Sequence, residues 1–166
     1  MRSIRLVGVI LVVATWIGFH SSNAEAATAW SANGAGCVPV GTSGVHVAAG
    51  AVTAGGGVTV TLYCKITRDA LVGAFRRIEI TYKGGVARNV FTTSELIQMS
   101  KATGAETVRC GVRSTGSAII TTQSNLCSNS NLDFNNNFYY VRIVLKSGIV
   151  VGQLQTIYGS SLTSEF

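Results

Sequence analysis

Acid–base and nucleophilic chemistry need an imidazole, a thiol, a carboxylate pair or an activated hydroxyl. The 166-residue chain is poor in them, with two histidines, four cysteines and seven acidic residues. His46 lies in Val45-His46-Val47-Ala48, on the side opposite Val45 and Val47, which reads as a surface position on a strand. Nothing forms a Gly-x-Ser-x-Gly elbow, since Gly116-Ser117 lacks the second glycine. Glycoside hydrolysis uses two facing carboxyl groups, but Asp69, Glu79, Glu95, Glu106, Asp133 and Glu165 are scattered singly. No catalytic residue is expected.

Metal and cofactor sites are equally thin. Asp133, among Asn129, Asn131, Asn135 and Asn136, is the one oxygen-rich cluster. Asn tolerates left-handed backbone, so this stretch reads as turns and not as a calcium loop. Gly55-Gly56-Gly57 lacks the lysine and helix of a phosphate loop. No cofactor and no metal are expected.

Aromatic side chains offer a different chemistry, because sugar rings stack on exposed Trp and Tyr. Trp30, Tyr63 and Tyr140 are the candidate ligand-binding aromatics. The alternation of their strands turns Tyr63 and Tyr140 outward.

The elements that must position these residues begin after a leader. Arg2 and Arg5 precede fourteen mostly apolar residues, Leu6–Phe19. That run is too short for a bilayer, which needs about 20. A short polar stretch then ends in Ala24-Glu25-Ala26, a small-x-small cleavage pattern. Residues 1–26 therefore read as a signal peptide, and 27–166 as a single β-sandwich domain; Ala27-Thr28-Ala29 offers a second cleavage point. No cysteine follows either point, so no lipid anchor is expected, and no later segment reaches transmembrane length. The expected location is secreted or periplasmic.

The mature chain carries 11 basic and 6 acidic residues, a diffuse net charge of +5. Export removes nucleic acid as a partner and favours an extracellular glycan or an anionic envelope polymer. Cys37, Cys64, Cys110 and Cys127 all lie in the mature chain. An even count in an exported protein reads as disulfides, with three pairings open. Sequential pairing closes the shortest loops.

Period-two alternation dominates the rest. Val58, Val60, Leu62, Cys64 and Ile66 share one face, opposed by Thr59, Thr61, Tyr63 and Lys65. Phe75–Lys83 and Phe138–Lys146 repeat the pattern. Shorter candidates are Gly44–Val52, Val86–Thr92, Glu95–Lys101, Glu106–Val112, Ala118–Gln123 and Val150–Tyr158. Leu96-Ile97-Gln98-Met99 also fits a helical turn. Gly-rich turns punctuate the series, and about nine short strands so spaced indicate an all-β, antiparallel, jelly-roll-like β-sandwich.

One geometric conflict follows. A tight hairpin at Ser114–Ser117 places Cys110 opposite Thr121, about 20 Å of strand away from Cys127. A disulfide needs Cα atoms within about 7 Å. The chain after Gln123 must then fold back or cross to the other sheet.

Cys37-Val38-Pro39, Leu62-Tyr63-Cys64 and Asn136-Asn137-Phe138-Tyr139-Tyr140-Val141-Arg142-Ile143 form a recognisable set. Over nearly all of the mature chain it resembles a group of small exported bacterial proteins. The resemblance implies a β-sandwich and a Cys37–Cys64 bridge; with Cys64 inward on its strand and Cys37 after the Gly-rich Asn33-Gly34-Ala35-Gly36, such a bridge is expected to hold the N-terminal segment down. It implies no activity, cofactor or catalytic residue, and it does not extend to Cys110 and Cys127.

The functional expectation is a non-catalytic exported module, structural or adhesive, at the cell surface or in the periplasm. The alternative is a secreted carbohydrate-active enzyme or glycan-binding protein. Far-ultraviolet circular dichroism of Ala27–Phe166 should give a β spectrum; helix above about a third, the globular average, overturns the fold assignment.

Overall fold

A strand whose alternate side chains are apolar buries one face and leaves the other in water, and two such sheets bury their apolar faces together. The computed structural model describes residues 28–40, 44–68, 74–85, 87, 89–114, 116–128, 131–149 and 153–164. The expected leader, 1–26, lies outside them. Two antiparallel sheets make a jelly-roll-like sandwich.

The first sheet contains β1 (Thr28–Asn33), β3 (Val45–Ala48), β4 (Ala51–Ala54), β6 (Arg77–Gly84), β9 (Ser117–Leu126) and β11 (Gln155–Thr163). Its order is β3-β4-β11-β6-β9. β1 pairs with the second half of β11, beside β4 on the first half. The second sheet contains β2 (Val38–Val40), β5 (Thr59–Ile66), β7 (Phe91–Ser100), β8 (Glu106–Arg113) and β10 (Asn137–Lys146), in the order β2-β5-β10-β7-β8. The one helical element among the described residues is a 3-10 turn, Gly34–Gly36, capped by the Asn33 side chain.

The layer between the sheets is built from the alternating residues named above. Val60, Leu62, Cys64 and Ile66 meet Tyr139, Val141, Ile143 and Leu145 on one side, and Ile78, Ile80, Tyr82, Ile157 and Leu162 on the other; all are buried. Two polar contacts cross this layer between β7 and β11. Ser160 Oγ donates to the Glu79 carbonyl at 2.8 Å, so its lone pairs receive the Ser94 hydroxyl, also at 2.8 Å. Thr92 Oγ1 donates to Gln155 Oε1 at 3.0 Å. The Gln155 side chain fills the space where a Cβ of residue 84 would stand, which is why Gly84 lies beneath it.

Eleven strands replace the nine expected, and the differences have local causes. Gly44–Val52 is not one strand: β3 and β4 form a hairpin around Ala49-Gly50, both at positive φ (49° and 80°). That is the geometry of a two-residue primed turn. Ala-Gly carries less of its signal than Asn-Gly, so the turn was not visible in the sequence. Of the expected strand Val86–Thr92 only Phe91 and Thr92 are strand, while Ala87, Asn89 and Val90 are not. Those two run on into the expected Glu95–Lys101 as one strand, β7, ending at Ser100 with no helical turn at Leu96–Met99, and Val86 and Arg88 lie outside the described residues. The last strand starts at Gln155, and 150–152 lie outside the described residues. β1 and β2 were not expected, because neither alternates over enough residues.

Both sequential disulfides are present, Cys37–Cys64 and Cys110–Cys127. Cys37 stands where the chain passes from β1 in the first sheet to β2 in the second, and it joins the inner face of β5. The Cys110 conflict resolves earlier than expected. β8 and β9 do not pair as a hairpin: β8 pairs with β7 in the second sheet, whereas β9 pairs with β6 in the first. The chain crosses before β9, not after Gln123. Cys110–Cys127 then ties the edge strand of one sheet to the far end of the edge strand of the other.

Replacing Cys110 and Cys127 together by alanine should lower the unfolding free energy by about 3 kcal/mol, the loop-closure value for a separation of 17 residues. Denaturant unfolding of the exported protein measures it. An unchanged midpoint contradicts the clamp.

Candidate functional site

Because the second sheet buries one face against its partner, the alternate residues of β5, β7 and β10 point to its other face; Ile97 is covered there, and its neighbours in the rows are partly exposed or exposed. Register aligns these residues in rows. One row runs Val38, Tyr63, Arg142, Glu95 and Gly111 across all five strands. The next runs Lys65, Tyr140, Ile97 and Val108. Tyr63 and Tyr140 are therefore diagonal neighbours on adjacent strands, within reach of each other. Their ring centroids are 5.4 Å apart and the planes are tilted by 56°. Both are half-buried, and Phe138, two residues before Tyr140 on the same side, is 53% exposed.

Charged groups hold Tyr140 of this pair in place. Arg142 donates from Nε and Nη2 to Glu95 Oε2, at 3.2 and 2.8 Å. Its Nη1 reaches Glu106 Oε2 at 3.5 Å. The Tyr140 hydroxyl donates to Glu106 Oε1. Burial pushes the Tyr140 phenol above its usual value of 10, and the hydrogen bond to the Glu106 carboxylate adds to it. The Glu95 contact raises the Arg142 guanidinium in turn. The network makes Tyr140 a neutral donor with a fixed ring plane.

Glu95 and Glu106 are the carboxylates that the fold brings together, a convergence the sequence did not show. A catalytic pair would leave room between them for a sugar bond or a water. Here one guanidinium sits between the two and bonds to both. The arrangement positions Tyr140; it holds no free acid and base facing a common substrate atom.

The remaining candidates fall elsewhere. Trp30 is not an exposed ligand aromatic: it is only 5% exposed and packs in the core. β1 shifts register between Thr28 and Trp30, and Ala29 and Trp30 are buried in succession. A lone aromatic among small residues gave no alternation from which to read its side. His46 is exposed on β3, in the other sheet. Asp133 closes an Asx turn on itself. Its Oδ1 accepts from the backbone amides of Asn135 and Asn136, and its Oδ2 from the Asn136 side chain, the main cause of a lowered carboxyl pKa. Asp69 and Glu165 lie outside the described residues. Cys37, Cys64, Cys110 and Cys127 serve as disulfides.

Sequence reading set Lys65 and Phe138 in alternating strands without counting them as ligand candidates, and passed over Phe91; all three lie on the same outer face. The signal for Lys65 was its place opposite Leu62 and Cys64, and for Phe138 its place opposite Tyr139 and Val141. The Arg113 guanidinium stands 4.2 Å over the Phe91 ring, and Lys101 Nζ 5.0 Å over Phe138.

No protein-family model and no curated protein matches the chain. Among solved structures it is similar to a family two carbohydrate esterase from Cellvibrio japonicus, at 13% identity and a TM-score of 0.44, over 81% of this chain. The chain spans only 32% of that esterase's length. It is similar to the xylan-binding module CBM15, at 16% identity and a TM-score of 0.42, over 75% of this chain and 84% of the module. It is also similar to TmCBM61, solved with beta-1,4-galactotriose, at 15% identity and a TM-score of 0.43, over 79% and 83% of the two chains.

The raised Tyr140 pKa has a stability consequence. A phenol whose folded pKa lies above its unfolded value keeps its full stabilisation below the unfolded pKa of about 10 and loses it as pH rises through the folded value. Phenolate absorbance against pH should show one late-titrating tyrosine, absent in Tyr140→Phe and titrating earlier in Glu106→Gln. A wild-type curve that superimposes on the Tyr140→Phe curve after scaling contradicts the assignment.

Proposed function

We propose that this is a non-catalytic exported binding module that holds a glycan on the outer face of its five-stranded sheet. The observation that carries the reading is the Tyr63–Tyr140 pair: two half-exposed rings side by side on a rigid sheet. A pyranose has apolar C–H faces and a polar hydroxyl rim. A ring such as Tyr140 offers apolar area with little rotamer entropy to lose. The neighbouring Arg142, Glu95 and Glu106 are already oriented by one another, so hydroxyl groups meet fixed donors and acceptors without reorganisation.

The same network supports a role without turnover, since Arg142 occupies the space between the two carboxylates. The two disulfides suit the oxidising compartment in which such a ligand occurs. The module works outside the cytoplasm, secreted or periplasmic, as a structural or adhesive element at the cell surface.

Tyr63→Ala should weaken binding on a glycan array about tenfold or more, the loss expected for an aromatic anchor at the centre of a contact. His46→Ala, on the other sheet, should leave binding unchanged. Glycan hydrolysis by the purified protein that disappears in Glu95→Gln or Glu106→Gln would overturn the non-catalytic reading.

A further inference from the structure

We infer that the bound glycan is anionic, and that its negative groups seat in a basic hollow at the end of the sheet where β5 finishes and β10 begins. This rests on the glycan reading above and gives it a ligand class. The hollow holds about 450 Å³ and is lined by Lys65, Arg68 and Lys101 together with Phe134, Phe138 and Tyr140. Among the described residues, three cations and no carboxylate line it.

Each cation is available to a ligand. Lys65 stands opposite Tyr140 in the register and points outward beside the tyrosine pair. Among the described residues, neither Lys65 nor Arg68 pairs with a carboxylate. Lys101 Nζ donates to the carbonyls of Phe134 and Asn135, at 2.6 and 3.0 Å, and lies over the Phe138 ring. These acceptors are neutral, so they fix the ammonium group without cancelling its charge. The nearest acid in sequence to this loop, Asp133, feels Lys101 but is bonded to the amides of Asn135 and Asn136.

The acids of the sheet face are engaged as well. Glu95 and Glu106 both pair with Arg142, and Glu106 also accepts from Tyr140, so the two carboxylates and one guanidinium leave a single negative charge there; among the described residues it is outweighed by the three positive charges of Lys65, Arg68 and Lys101. Phe138 and Tyr140 project from one side of β10 about 7 Å apart. They lead from the tyrosine pair into the hollow. A linear chain of uronic acid residues meets both demands, with apolar ring faces for the aromatics and one carboxylate per sugar for the cations.

Isothermal titration of the exported protein against polygalacturonate, its methyl ester and neutral dextran tests the inference. Polygalacturonate should bind at least about tenfold tighter than its methyl ester. Lys65→Gln and Arg68→Gln should each remove about five- to tenfold of that affinity, the worth of a partly exposed hydrogen bond to a charged group. Lys83→Gln, an exposed charge on the other sheet, should change nothing. Equal affinity for the charged and esterified polymers, both weakened by Tyr63→Ala, would overturn the anionic inference and leave the glycan reading standing. A loss in Lys83→Gln as large as in Lys65→Gln would reduce the binding to diffuse attraction and overturn the hollow. Failure to bind any glycan, here and on the array, defeats both.

Discussion

Burial of Tyr139, Val141, Ile143 and Leu145 along β10 fixes what the opposite side of that strand can present. A strand has no intermediate setting: a slip of one residue would carry all four into water and bring Phe138, Tyr140, Arg142 and Val144 inside. The core therefore specifies the outer face. Full-length pairing with β5 and β7 transmits the setting sideways, so Tyr63 and Glu95 arrive on either side of Arg142. The charged network then turns a placed residue into an oriented one.

Apolar packing alone is non-directional and would tolerate one sheet sliding over the other. The Ser94–Ser160 and Thr92–Gln155 contacts oppose that sliding, because moving either pair apart strands buried polar groups. Both join β7 to β11. Their partners lie on the side of β7 opposite Thr93 and Glu95, so the alignment of the two sheets and the order of the outer rows depend on one strand. The polar contacts add little net stability and much specificity of arrangement.

Legibility from sequence followed the strength of alternation. β5, β6 and β10 could be read directly, including the outward direction of Tyr63 and Tyr140, because each has an apolar face set against a polar one. β1, β2 and the β3–β4 hairpin are short and built mostly of small or β-branched residues, whose pattern fits strand, turn or loop. Trp30 was misplaced for that reason. The adjacency of Tyr63 and Tyr140, the convergence of Glu95 and Glu106 on Arg142, and the crossing before β9 all require knowing which strands are neighbours. Periodicity says which way a side chain points and nothing about what stands beside it.

The pairing of β1 with β11 sets Thr28 against Thr163 and Asn33 against Gly159. The outer ends of the two strands thus leave the sheet side by side. A tensile load applied at those ends would open the ladder one hydrogen bond at a time instead of shearing all of them together. Such a zipper yields at low force. The peeling would run only to Cys37, where the covalent link to Cys64 transfers the load to β5 at the centre of the molecule. A tethered module of this design would give way by a fixed short length and then hold, with the tyrosine face beyond the yielding strand still intact.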